Sequence, residues 1–362
     1  MNVRIFSCLI VCSFFVALPV SAKTILDPFK AYRDSLETIV RTQNVSAAFF
    51  QLKNLYAQND SVKPLCHELT HMIGRAALNK FHTLAEAYTQ GDNFCADGYY
   101  HGVMEELSIH LGRAVVLEQI NQLCTGFKNH EADRTKYFYC LHGLGHGLMA
   151  INDEALPSAL DGCDLLRGSW EQQVCAGGVF MENTLANGEN HVTNFLKPDD
   201  PLYPCDAVNE AYKTACYLNQ GSYILRLHQQ NFSAAFQTCA QADANYVGVC
   251  NQGLGLVALG LSLNDVDQAS VLCHQTSRAQ QTYDCLLGAA EYHLSYASSS
   301  HDSIPFQLCD KTLIEQRSSC RATIQTYTNI LFPNRIQKFF EDHISSPLIQ
   351  FLLFLFRVAL AN

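Results

Sequence analysis

Between Cys140 and Cys320 the cysteines follow a two-beat rhythm that few folds satisfy. Five short gaps, Cys163 to Cys175, Cys205 to Cys216, Cys239 to Cys250, Cys273 to Cys285 and Cys309 to Cys320, each span 11 or 12 positions. Long gaps of about 23 to 30 positions separate them. The second cysteine of each beat recurs at 140, 175, 216, 250, 285 and 320, mostly 34 or 35 apart, which is the length of a helical-hairpin unit.

The text between the cysteines agrees. A glycine stands three places after the second cysteine at Gly143, Gly178, Gly253 and Gly288, and Gly98 follows Cys95 in the same way. An apolar, small-residue helix A follows. A polar turn then leads to an amphipathic helix B that ends at the next cysteine, as in NDVDQASVLC and QNFSAAFQTC. Asn264 and Asn231 are the expected N-caps, because a short side-chain oxygen satisfies the free amides of the first turn. Almost no stretch alternates with period two, so strands are not expected. The fold class is all-α: disulfide-stapled αα-hairpins in a solenoid, either an open arc or one closing toward an α/α toroid.

The N-terminus sets the compartment. Residues 1–22, MNVRIFSCLIVCSFFVALPVSA, carry Arg4, an apolar run and the small-residue end Val20-Ser21-Ala22, a secretory signal peptide. Its removal takes Cys8 and Cys12, and the remaining cysteines enter the periplasm, the extracellular space or a secretory lumen, where disulfides persist. One cysteine closes each helix B and one opens the next helix A. The spacing therefore predicts Cys124–Cys140, Cys163–Cys175, Cys205–Cys216, Cys239–Cys250, Cys273–Cys285 and Cys309–Cys320, with Cys66–Cys95 left as the seventh pair. A loop of about a dozen residues closed in this way stabilises by roughly 2.5–3 kcal/mol in the chain-entropy picture. Residues 23–63 read as an N-terminal helical cap, 64–330 as the hairpin domain of about seven units, and 331–362 as a helical tail. The period and cysteine placement over roughly 64–330 resemble the secreted, cysteine-rich relatives of the tetratricopeptide repeat proteins. That resemblance implies a concave face of the kind that binds a protein or peptide.

The openings of helix A carry the chemistry. Aligned on their cysteines they read CHELTHMIGR, CADGYYHGVMEE, CLHGLGHGLM, CAGGVFMEN, CYLNQGSYIL, CNQGLGLVALG and CLLGAAEYHL. Six places after the cysteine stand His101, His146, Met181, Ser222, Leu256 and Glu291, and His71 stands five after Cys66. Each of the first three units has a partner four residues away: His67 with His71, His101 with Glu105, His142 with His146. Residues four apart share one face of a helix. Neighbouring helices pack about 8–10 Å apart, so such pairs on adjoining units can converge on one divalent ion. Nitrogen and carboxylate ligands of this kind suit zinc, which takes three or four of them and in catalytic sites keeps a position for water.

HELTH, His67 to His71, also resembles the HExxH signature of zincin peptidases. The resemblance implies His67 and His71 as zinc ligands, Glu68 as general base, and a third ligand from His101 or Glu105, with Glu105 the second candidate for acid–base work. The enzyme class it implies is a metal-dependent hydrolase. Met181 and Glu182 are placed to close the same site from the fourth unit, and Glu291 to reach it only if the hairpins form a ring.

Plainer readings stand beside these. Gly143, Gly145 and Gly147 mark close helix packing, which accounts for HGLGHGL without any ion. Tyr99 and Tyr100 read as core. His82, His110, His130, His191, His228, His274, His301 and His343 read as ordinary hydrogen-bonded residues. The net charge of −10, with only 24 Lys and Arg, argues against nucleic acid as partner. The apolar run at 348–361 is too short to span a bilayer and fits either a hydrophobic cap or peripheral contact with a membrane surface. Two functions remain open: a divalent-metal or hydrolytic pocket in the N-terminal hairpins, and a protein-binding scaffold in which the histidines are structural.

Overall fold

The structure, a computed structural model, describes residues 28–128, 134–185, 193–296 and 303–331. The leader at 1–22, the apolar run at 348–361, and His130, His191, His301 and His343 lie outside the described residues. Among the described residues the chain is helical, without a strand. In order come α1 (Pro28–Thr42), α2 (Val45–Gln58), α3 (Cys66–Phe81), α4 (Leu84–Thr89), α5 (Gly98–Gln119), α6 (Thr125–Lys128), α7 (Thr135–Ala150) and α8 (Leu156–Asp164). There follow α9 (Ser169–Leu185), α10 (Glu210–Leu227), α11 (Phe232–Cys239), α12 (Val247–Leu261), α13 (Val266–Cys273), α14 (Ala279–Tyr296), α15 (Ile304–Asp310) and α16 (Arg317–Leu331).

The long helices pack in chain order: α1 on α3, α3 on α5, then α7, α9, α10, α12 and α14 in turn. The shorter α4, α8, α11, α13 and α15 each pack against the long helices before and after them in the chain. Leu69, Ile73, Leu144, Leu148, Val179, Leu254 and Leu286 are fully buried between the long helices. Burial of each such side chain stabilises by roughly 2 kcal/mol. Late in the chain, α14 also touches α7, where the Tyr296 and Phe138 rings stand 5.4 Å apart. Beside them the Arg134 amide donates to the Leu331 carbonyl at 3.0 Å.

All seven expected disulfides are present, each between sequential neighbours. The turns after helices α7, α10 and α12 share one conformation. Asp153 and Glu154, Gln229 and Gln230, and Leu263 and Asn264 all adopt left-handed backbone. Each pair stands 13 and 14 places after Cys140, Cys216 or Cys250. The second amide of each pair donates to the carbonyl of Met149, Leu225 or Leu259, closing the helix end. This corrects one expected cap. Asn231 caps α11, accepting from the Ala234 amide, but α13 is capped by Asp265, which accepts from Gln268. Asn264 is taken up by the left-handed turn, and its side chain faces the His293 ring at 3.2 Å.

Glycines set the spacing of the long helices. A methyl group on Gly145 would overlap the Cys175 carbonyl oxygen, and one on Gly178 would overlap that of His142. The α7–α9 joint therefore exists only because both positions lack a side chain.

Candidate metal centre

Each chemically active side chain sits on an i, i+4 stripe facing the same interior. Helix α3 contributes His67, His71 and Arg75, α5 contributes His101 and Glu105, α7 contributes His142 and His146, and α9 contributes Glu182. The histidines from three separate units thus converge. The ring of His101 lies 5.2 and 5.3 Å from those of His67 and His71, and 4.9 and 4.4 Å from those of His142 and His146. Three overlapping sets have ligand atoms within 4.8 Å of one another: His67, His71 and His101; His101, His142 and His146; and His71, Glu105, His146 and Glu182.

Three of the five rings have a carbonyl or carboxylate oxygen against Nδ1. His67 Nδ1 donates to the Cys95 carbonyl at 2.8 Å, an acceptor brought there by the Cys66–Cys95 bridge. His71 Nδ1 lies 2.7 Å from Glu105 Oε1. The Tyr296 hydroxyl stands 3.4 Å from His142 Nδ1. His146 Nδ1 donates to Glu182 Oε2 at 2.5 Å. A carbonyl or carboxylate only accepts, so the Nδ1 of His67, His71 and His146 carries the proton and the Nε2 of each is left with a lone pair. Among the described residues the Nε2 atoms of His142 and His146 have no partner, and neither nitrogen of His101 has one. The Nε2 atoms of His67 and His71 face each other at 3.0 Å.

The electrostatics favour the same state. Burial pushes the pKa of His67 down to about 3, and it pushes those of His101 and His142 well below the usual imidazole range, with the neighbouring rings adding to the effect. These rings are neutral and can serve as metal ligands. Burial works to raise Glu105, yet His71 and Arg75 outweigh it and hold the carboxyl at about 2. Arg75 grips Glu105 Oε2 through Nε at 2.8 Å and Nη2 at 2.6 Å. The interior is almost closed to solvent. His71, His101, Glu105, His142, His146 and Glu182 are at most 3% exposed, whereas His67 is half-buried and Arg75 28% exposed. Among the described residues of the cluster, the most exposed lie along that edge of α3.

Glu68 is half-buried and stands outside all three ligand sets. Met181 is packed against the core beside Glu182, and Glu291 also falls outside the sets. Tyr296 rather than Glu291 is the residue through which α14 reaches a histidine. Tyr99 and Tyr100 are buried as expected, Tyr99 donating to the Ala87 carbonyl and Tyr100 stacking on Tyr139. His82 ends α3 in a left-handed cap, His110 pairs with Glu106, His228 meets Thr238, and His274 donates to the Ser270 carbonyl. Arg75 and Tyr296 escaped the sequence reading. Arg75 lies four residues beyond His71 on the same stripe, a signal that was there to be followed. Tyr296 carries none, being 154 residues from His142.

Comparisons of the chain with protein-family models, curated proteins and solved structures return no match.

Proposed function

We propose that the chain is a secreted or periplasmic metalloprotein whose α3–α9 interior binds a divalent ion through neutral imidazoles, zinc being the first candidate. One observation carries the reading. His67 and His71 both spend their Nδ1 protons on oxygen acceptors, so two lone pairs face each other at 3.0 Å. Only a cation between them, an extra proton or a metal ion, removes that repulsion. Tetrahedral zinc with bonds of about 2.0–2.1 Å separates its ligands by about 3.3 Å, close to what the rings already adopt. Acceptors on each Nδ1 are the outer-shell arrangement that orients metal-binding histidines.

The seven disulfides suit an oxidising, extracellular compartment. No helix among the described residues is long and apolar enough to cross a membrane. The contacts of α14 and α16 with the start of α7 support a stack of hairpins that closes on itself, with the long helices innermost. Burial selects among hydrolytic roles. A peptide cannot reach a cluster this enclosed, so the chemistry is confined to small molecules entering beside His67 and Arg75. A zinc ion held there by three histidines would supply a water acidified to near-neutral pKa. Arg75 would attract anions to the entrance, and Glu68, one residue from His67, is the base to test.

Elemental analysis of tag-free protein, with thermal unfolding before and after chelation, tests the reading. Stoichiometric zinc or another d-block metal, and a melting temperature that falls on chelation, are expected. Metal-free protein that binds no added zinc and ignores chelator would mean that the cation between His67 and His71 is a proton.

A further inference from the structure

We infer that the interior is built for two metal ions rather than one, with His101 shared between them. This rests on the metal-binding reading above and adds its stoichiometry and the role of one residue. The donor count comes first. With the Nδ1 of His67, His71 and His146 committed, each offers its Nε2; His142 offers its unpartnered Nε2, and His101 offers both of its nitrogens. That is a surplus for one tetrahedral ion but fits two ions of three nitrogens each, the number that leaves a position open for water.

The placement agrees with the count. The nitrogens group as two triads, His67–His71–His101 and His101–His142–His146, and only His101 belongs to both. Each triad pairs the i, i+4 histidines of one helix with the single ring between them. The two nitrogens of an imidazole point in different directions, so they cannot both address one ion. A ring with neither nitrogen satisfied, fully buried midway between two histidine pairs, has the geometry of a bridge. The carboxylates belong to the supporting layer. Their contacts with His71 and His146 Nδ1 are 2.7 and 2.5 Å, hydrogen-bond distances shorter than the spacing of two ligands on one ion. Glu105 supports both pairs, its Oε1 lying 2.7 Å from His71 Nδ1 and 3.7 Å from that of His146.

Bridging has a proton cost. A neutral His101 carries one N–H, and both nitrogens can bind metal only when that proton leaves as the second ion enters. The proton passes to buffer, no electron moves, and the ring becomes an imidazolate. Its negative charge, with Glu105 and Glu182 and less the charge of Arg75, offsets about half the charge of two divalent ions.

The experiment loads the chelated, disulfide-intact protein with zinc(II) alone and, separately, with copper(II) alone. Two zinc ions per chain are expected. His67→Gln and His142→Gln should each keep one, and His101→Gln should weaken both. In fully copper-loaded wild type, spins coupled through the shared ring should largely silence the paramagnetic resonance signal. His67→Gln, with one copper, should restore a full signal per ion. One zinc per chain in wild type overturns the two-ion inference and leaves the metal-binding reading standing. Two zinc ions with an uncoupled copper signal overturn the bridge, and no zinc overturns both. Circular dichroism checks the fold of each variant. The wild-type stoichiometry and copper signal decide the matter even if a variant does not fold.

Discussion

The α7–α9 joint and the α12–α14 joint are built alike and filled differently. In the first, Gly145 packs on the Cys175 carbonyl and Gly178 on that of His142. In the second, Gly255 packs on the Cys285 carbonyl and Gly288 on that of Gln252. Counted from Cys140 and Cys250, from Cys175 and Cys285, every one of these positions matches. The bridges Cys163–Cys175 and Cys273–Cys285 both span 12 residues. Yet where the first joint has His142, His146 and Glu182, the second has Gln252, Leu256 and Tyr292. A close glycine joint therefore forms without the His142, His146 and Glu182 set; its own buried carboxylate, Asp284, accepts from the Asn251 and Gln280 amides. Among the described residues the Nε2 lone pairs of His142 and His146 are unpartnered, surplus to packing and unfavourable on their own, which makes them evidence for a ligand.

The largest expected effect tests whether the two joints are truly equivalent. Gly145→Ala and Gly255→Ala each drive a methyl group into a carbonyl oxygen of the facing backbone, which cannot rotate away. Each should destabilise by about 3 kcal/mol or more, the upper range for overpacking, as read from urea unfolding midpoints. If Gly255→Ala is tolerated while Gly145→Ala is not, the second joint is looser than the first and the argument from equivalence fails.

The second effect separates the two regions by pH. Glu291, on the α14 side, has no stabilising partner among the described residues to offset its burial, which pushes its pKa from 4.5 up to about 7. The folded chain keeps this proton up to about pH 7, whereas the unfolded chain releases it near 4.5. Between those values the folded state binds more protons, so its stability falls as pH rises across the window. The full penalty, up to about 3 kcal/mol, is present above pH 7. Glu291→Gln should raise stability at pH 8 by as much as that and leave it nearly unchanged at pH 4. Urea unfolding at both pH values measures this; equal curves for wild type and variant would show that water solvates Glu291 in the folded state.

Most of the scaffold was legible in the sequence because disulfides, close glycines and helix periods are local or strictly spaced. Cysteines 11 or 12 apart can close a turn between sequential helices whatever the rest of the chain does. The histidines were legible for the same reason, since they ride on the cysteine register. His71 breaks that register by one, five rather than six places after its cysteine; Cys66 begins α3, Cys95 lies in a left-handed turn ahead of α5, and Cys140 lies inside α7. Asn264 failed as a cap by one residue, because a left-handed pair is invisible to a propensity argument that expects asparagine before a helix. Tyr296 at His142 depends on how the packing of every intervening helix adds up, and no local pattern records that sum. Neither did sequence spacing reveal that Glu105 and Glu182 would support histidines. That role follows from distances across α3, α5, α7 and α9.

The smallest expected effect sharpens that last assignment. If Glu182 holds the His146 tautomer and is not itself a ligand, Glu182→Gln keeps a side-chain oxygen that can still accept from Nδ1 and removes only the charge. Metal should then still bind with unchanged stoichiometry, at an affinity lower by roughly 10- to 100-fold, the range for outer-shell partners. His146→Gln removes the nitrogen donor itself and should lose an equivalent of metal. Competition against a chelator of known affinity reads both variants on one scale. Complete loss of an equivalent in Glu182→Gln would move this carboxylate into the coordination sphere and reassign the set of His71, Glu105, His146 and Glu182 as a metal site in its own right. Restoration by Glu182→Asp would not be expected in either case, because the shorter side chain withdraws the oxygen by one methylene from a ring that the Gly145 and Gly178 contacts hold at a fixed distance.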